Sequence, residues 1–138
     1  MEPILLLSAT TRTTAGILLL TLVAVEIGGW FMLRVVRGDE PATPFQLSFF
    51  RAGHAHAGVL VILALVGQIF ADAARMEGIL ALLARNGIWL AAILMPAGFF
   101  SSMGRGITEP RGTIALVYVG AVSLALGVVA LGLGLLTS

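Results

Sequence analysis

The sequence contains no cysteine and no lysine. Without cysteine a small disulfide-stapled secreted fold cannot be built. Charge is scarce too: the eight cations are all arginine, the acids number seven, and charged residues make up 11% of the 138. A soluble domain carries about 25% charged residues. The chain therefore has too little polar surface to coat a water-facing globule, which excludes a soluble enzyme. The net charge of +1 provides neither a basic stripe for nucleic acid nor an acidic tail. Recognisable catalytic motifs are lacking as well: no Gly-x-Ser-x-Gly elbow, no His-Glu-x-x-His, no P-loop and no dinucleotide fingerprint. The 17 glycines follow no triplet period, which excludes collagen. What is abundant is apolar sequence, 59% of the residues with a mean hydropathy of +1.05. That content excludes intrinsic disorder and makes the bilayer the solvent to reason with.

A hydrocarbon core about 30 Å thick needs roughly 20 apolar residues per helix. Four runs of that length occur, at about 15–36, 49–71, 78–102 and 113–136. The first opens at Thr10-Thr11-Arg12-Thr13-Thr14 and closes at Arg37-Gly38-Asp39-Glu40. The second is entered through Pro41-Ala42-Thr43-Pro44 and left at Asp72 and Arg75. A turn rich in Gly, Pro and charge, 104–112, separates the last two. Short connections make consecutive spans neighbours of alternating direction. The expected fold is all-α, one integral membrane domain over 1–138 arranged as an antiparallel, up-down-up-down bundle.

Several local features refine this expectation. Ile4-Leu5-Leu6-Leu7 follows Glu2 rather than a basic segment, so it is expected to be retained at the interface or as an extension of the first helix. Pro96 predicts a kink or widening of the third span. Ser123 with Gly127, and Ala130 with Gly134, place small residues four apart on the fourth span, suited to close packing inside the bundle or to a dimerisation face. Arg34, Arg37, Arg51, Arg105 and Arg111 flank the first and third loops, against Arg12, Arg75 and Arg85 on the other side. By the positive-inside rule the first and third loops are expected in the cytoplasm of a bacterial plasma membrane and both termini outside.

Ionisable groups within a span cost several kcal/mol unless paired or hydrated, so each is a candidate functional residue. Glu26 lies about 13–15 Å below the first-loop end of its helix. It is either a protonated or hydrogen-bonded structural acid or a functional one. The second constellation is Arg51-Ala52-Gly53-His54-Ala55-His56-Ala57-Gly58, which holds both histidines of the chain. On an α-helix His54 and His56 point about 200° apart, while Arg51, His54 and Gly58 share a face. Small residues around the imidazoles leave room for a neighbouring helix or a flat ligand. The antiparallel topology then gathers Glu26, Trp30, Arg51, His54, His56, Met95, Ser101, Ser102, Met103 and Tyr118 into one leaflet. Gln68, Asp72, Arg85 and Asn86 lie near the other interface. The gathered set is either an interhelical hydrogen-bond network that fixes the bundle or a ligand site.

Residues 51–58 resemble a segment of small four-helix bacterial membrane proteins that are low in Lys and Cys. His54-Ala55-His56 is similar to the His-Ala-His opening of a span in relatives of haem-copper oxidase subunit I and of haem-containing membrane proteins of the nitric-oxide response. The second resemblance implies haem or a transition metal. Its axial donor would be His54 or His56, and a second donor would be Met95, Met103 or a histidine of another subunit. Four spans and no further histidine exclude a haem-copper pair.

Three functions follow as expectations. The first is a non-enzymatic binding subunit that holds haem, a metal or a small ligand at Glu26, Arg51, His54 and His56, with Glu26, His54 and His56 as the metal donors. The second is a proton-coupled transport or channel subunit using Glu26 and the His pair, which would need to oligomerise. The third is a structural or assembly subunit of a larger membrane complex, with the polar cluster giving helix specificity; alternatively Arg51, Arg105 and Arg111 grip anionic lipid head groups at the same interface. Membrane lipid, other membrane subunits or a second copy are the expected partners.

Overall fold

The computed structural model describes residues 7–104 and 109–138. Most of the Ile4–Leu7 stretch, and Arg105, lie outside the described residues. The chain forms α1 (Ala9–Arg37), α2 (Pro44–Ala73), α3 (Gly78–Ser101) and α4 (Ala115–Leu136), the last entered through a single 3₁₀ turn at Gly112–Ile114. All four are long and apolar enough to cross a membrane. The protein is an all-α, four-helix integral membrane protein.

Two helices begin earlier than their apolar runs, for reasons of capping. α1 starts at Ala9 because the Ser8 hydroxyl accepts the Thr11 N–H at 3.1 Å, so the polar Thr-Arg-Thr segment is its first turn rather than a loop. α2 starts at Pro44. The Thr43 hydroxyl accepts from Gln46 N, the Gln46 side chain accepts from Thr43 N, and Pro44 occupies a position where its missing N–H costs nothing. α1 ends at Gly38, whose φ of 83° is the left-handed conformation that closes a helix. Gln46 donates through Nε2 to Gly104 O at 2.7 Å, so the first connection is tied to the chain beyond α3. α3 runs as one helix through Pro96.

The helices do not pack equally. α3 and α4 make the most extensive contact and α2 lies against α3, whereas α1 rests on α2. The close pair depends on glycine. A Cβ on Gly87 would stand 2.6 Å from Ser123 O and 2.8 Å from Gly127 Cα, and one on Gly127 would stand 2.9 Å from Ile88 N. The Ser123 hydroxyl, brought alongside, donates to Gly87 O at 2.9 Å. In a bilayer, where lipid is as apolar as the helix surface, such close backbone approach and the packing it allows supply the association energy. Ser123 and Gly127 thus pack within the bundle, and Ala130 and Gly134 are buried too.

Candidate functional site

The expected one-leaflet cluster does not close around a single point. Glu26 is exposed on α1, and no hydrogen bond joins it to either histidine among the described residues. Arg51 is exposed on α2. Trp30 is exposed, with the Arg34 guanidinium 5.2 Å from its ring centroid and Arg34 paired to Glu40 at 2.5 Å. Tyr118 and Ser101 are exposed, whereas Ser102 is buried and donates to Gly98 O. Met95 turns towards α4, where a Cβ on Gly120 would meet its Cγ at 2.5 Å. Met103 lines a separate cavity with Phe31, Pro41 and Phe50 near the first connection.

The two histidines part company. The Nδ1 of His56 is 2.7 Å from Ala52 O, one turn back on its own helix, and its ring lies 5.1 Å from that of Phe99 on α3. His54 instead faces α1. A Cβ on Gly28 would lie 3.5 Å from its Nδ1, and one on Gly29 would lie 3.3 Å from Cε1 and 3.4 Å from Nε2. The glycine pair leaves the space in which the imidazole stands. Glu26 is about 200° from Gly28 but only about 60° from Gly29 around α1, and its side chain is exposed and does not line that space. Glu26→Gln should therefore leave stability undiminished, and a denaturant unfolding curve in detergent that moved to lower midpoint would contradict the placement.

His54 sits at one end of a groove of about 400 Å³ between α1 and α3, floored by α2. The floor is His54, Ala57 and Val61; α1 contributes Thr14, Leu18, Thr21, Ala24 and Gly28; Trp89, Ala92 and Phe100 form the α3 wall. From Thr14 to Gly28 the groove extends about 21 Å along α1. Ile17 and Ile93, on its lips, are 59% and 55% exposed, so it opens sideways rather than along the bundle axis. Its polar atoms are unequally employed. Thr21 Oγ1 donates to Leu18 O at 2.6 Å, Asn86 Nδ2 donates to Leu82 O at 2.8 Å, and Trp89 Nε1 donates to Asn86 Oδ1 at 3.1 Å. His54 makes no hydrogen bond among the described residues.

The extensive polar network lies in the opposite leaflet. Arg85 of α3 donates through Nη2 to Asp72 Oδ1 at 2.6 Å and through Nη1 to Thr11 Oγ1 at 2.8 Å. Gln68 Nε2 donates to Arg85 O at 2.7 Å, and Ser8 N donates to Asp72 Oδ2 at 2.8 Å. Thr11 and Gln68 are buried, and the Asp72 side chain is 5% exposed. Three helices are thus pinned at one end by residues that read in the sequence as interfacial. The usable signal was the short turn 74–77: a hairpin that tight brings Gln68 and Asp72 of α2 alongside the first two turns of α3, and a long Arg side chain leans back towards its own helix start.

The donor set bears directly on haem and metal. Among the described residues no three of His, Asp and Glu converge as a metal-binding group, so Glu26, His54 and His56 do not form one. His54 alone reaches the groove, and Met95 and Met103 turn elsewhere. The residues present do not fit a haem held from both faces or a protein-ligated metal. Comparison of the chain with family models, with curated proteins and with solved structures gives no match.

Proposed function

We propose that the protein is a non-enzymatic membrane binding subunit whose site is the groove between α1 and α3, with His54 as the residue that orients the ligand. The observation that carries this reading is the His54 imidazole, half-buried at the end of an apolar groove with no hydrogen bond among the described residues. An imidazole always presents at least one N–H donor and, when neutral, one acceptor. Unmet in apolar surroundings, these cost free energy that a ligand oxygen or nitrogen recovers. Largely apolar walls with a few convergent polar atoms are the usual composition of a small-molecule site. Arg51 and His56 lie outside that lining, so the site is narrower than the four-residue cluster of the sequence.

The arginine bias supports placing the first and third loops in the cytoplasm of a bacterial plasma membrane. Arg51 and Arg111, both exposed at that end, suit contact with anionic lipid head groups.

The test is solvent extraction and mass spectrometry of protein purified in mild detergent, with an absorption spectrum taken alongside. A small molecule near one equivalent in the wild type and in His56→Leu, and lost from His54→Leu, is the expected result. Equal occupancy in all three would overturn the proposal.

A further inference from the structure

The groove also specifies what kind of molecule it takes, an inference that rests on the reading just given. At its α1 N-terminal end the side-chain amide of Asn86 and the indole N–H of Trp89 are satisfied by each other and by Leu82 O, and the Thr21 hydroxyl by Leu18 O. The Thr14 hydroxyl lies at that end of the groove, two residues from the exposed Arg12. Of the polar side chains lining the body of the groove, His54 alone makes no hydrogen bond among the described residues, so the ligand's polar group belongs at His54 and its apolar part runs along α1 towards Thr14.

Depth then selects among amphiphiles. His54 is ten residues into α2, about 15 Å from the first residue of a helix about 45 Å long, and so within the hydrocarbon rather than among head groups. Charged groups are expensive there unless paired. Apart from His54 itself no ionisable side chain lines the groove, so a phosphate or ammonium head group drawn to His54 would find no Arg, Asp or Glu in the groove wall to pair with. We infer that the groove takes a neutral-headed, membrane-dissolved amphiphile, a carbonyl- or hydroxyl-bearing ring with an apolar tail. The ring oxygen would meet His54 between Gly28 and Phe100, and the tail would lie past Ala57 and Ala92. The small residues on the floor and the aromatic rings on the α3 wall suit a flat ring and a flexible chain.

Trp89 lines the groove and provides the readout. In a Trp30→Phe background, which leaves Trp89 as the single indole, a decyl-substituted benzoquinone is titrated into protein in detergent and fluorescence quenching is followed. Bromopalmitate and a dibrominated phosphatidylcholine serve as charged-head comparisons. Saturable quenching by the quinone is expected, with the apparent Kd raised about tenfold by His54→Leu and unchanged by His56→Leu. Gly29→Leu, which keeps the histidine but crowds its ring, should weaken the quinone in the same direction. Ala57→Phe, which fills the groove floor, should abolish saturation. If bromopalmitate quenches with His54 dependence and the quinone does not, the neutral-head inference falls while the groove remains a binding site. If the phosphatidylcholine quenches as well as the quinone and neither responds to His54→Leu, the groove is ordinary lipid-facing surface and both readings fall.

Discussion

Gly87→Leu is expected to destabilise the protein by about 3 kcal/mol or more, at the upper end of the cost of overpacking a well-filled interior. The reason is what the new side chain meets. Its first carbon would stand 2.6 Å from Ser123 O and 2.8 Å from Gly127 Cα, and neither atom belongs to a side chain that can rotate away. α3 and α4 would have to separate along their shared length, losing the Ser123 to Gly87 hydrogen bond as well. Gly132→Leu on α4 is the matched control: nothing lies within 4 Å of its added carbon, and a change within about 0.5 kcal/mol is expected. Chemical unfolding in detergent, followed by far-UV circular dichroism, compares the two. Equal midpoints would mean that the α3–α4 contact is looser than described.

The second large effect concerns the pinned end of the bundle. Arg85→Leu takes the charged partner from Asp72 and leaves it the neutral groups of Ser8 and Thr11, and Asp72→Leu leaves the guanidinium with only the neutral oxygens of Thr11 and Gln68 around its side chain among the described residues. Breaking a buried pair from one side costs about 3–5 kcal/mol, whereas replacing both partners with apolar residues is far milder. Asp72→Leu with Arg85→Leu should therefore be more stable than Arg85→Leu alone, a non-additivity that a double-mutant cycle measures directly. Hydrogen exchange at the first turn of α1 gives an independent reading. Thr11 meets Arg85 and Ser8 meets Asp72, so those amides should exchange faster in each single variant. Strictly additive costs would reduce the network to a set of independent contacts.

The four spans were legible because apolar runs bounded by Arg, Asp and Gly can be read without knowing how helices pair. Where the structure departs, the cause is short-range: the Thr43–Gln46 box draws five further residues into the start of α2, and the Ser8 cap draws six into the start of α1. The site was only half legible. The His54-Ala55-His56 spacing already sends the two rings to different neighbours, as is observed, with α1 beside one and Phe99 beside the other. Which face of α1 meets α2 is not written in hydropathy, because Leu, Ile and Val lie on several sides of α1 and lipid tolerates them as well as a helix does. Gly28 and Gly29 faced the histidine; Glu26, two residues away, did not. The pairing of Asp72 with Arg85 was hidden for a related reason. Each sits where an interfacial charge is unremarkable alone, and only the register of the α2–α3 hairpin makes them partners.

The sideways opening of the groove changes what binding costs and what drives it. A molecule that enters leaves hydrocarbon for a wall of Leu, Ala and Val, so almost no water is released and the usual reward for burying apolar surface is missing. Selectivity over the surrounding lipid then has to come from fit and from the one hydrogen bond at His54. The concentration that governs occupancy is the ligand's mole fraction in the lipid or detergent phase, not its amount per litre. Doubling the micelle content at fixed total ligand should lower occupancy as surely as removing ligand does.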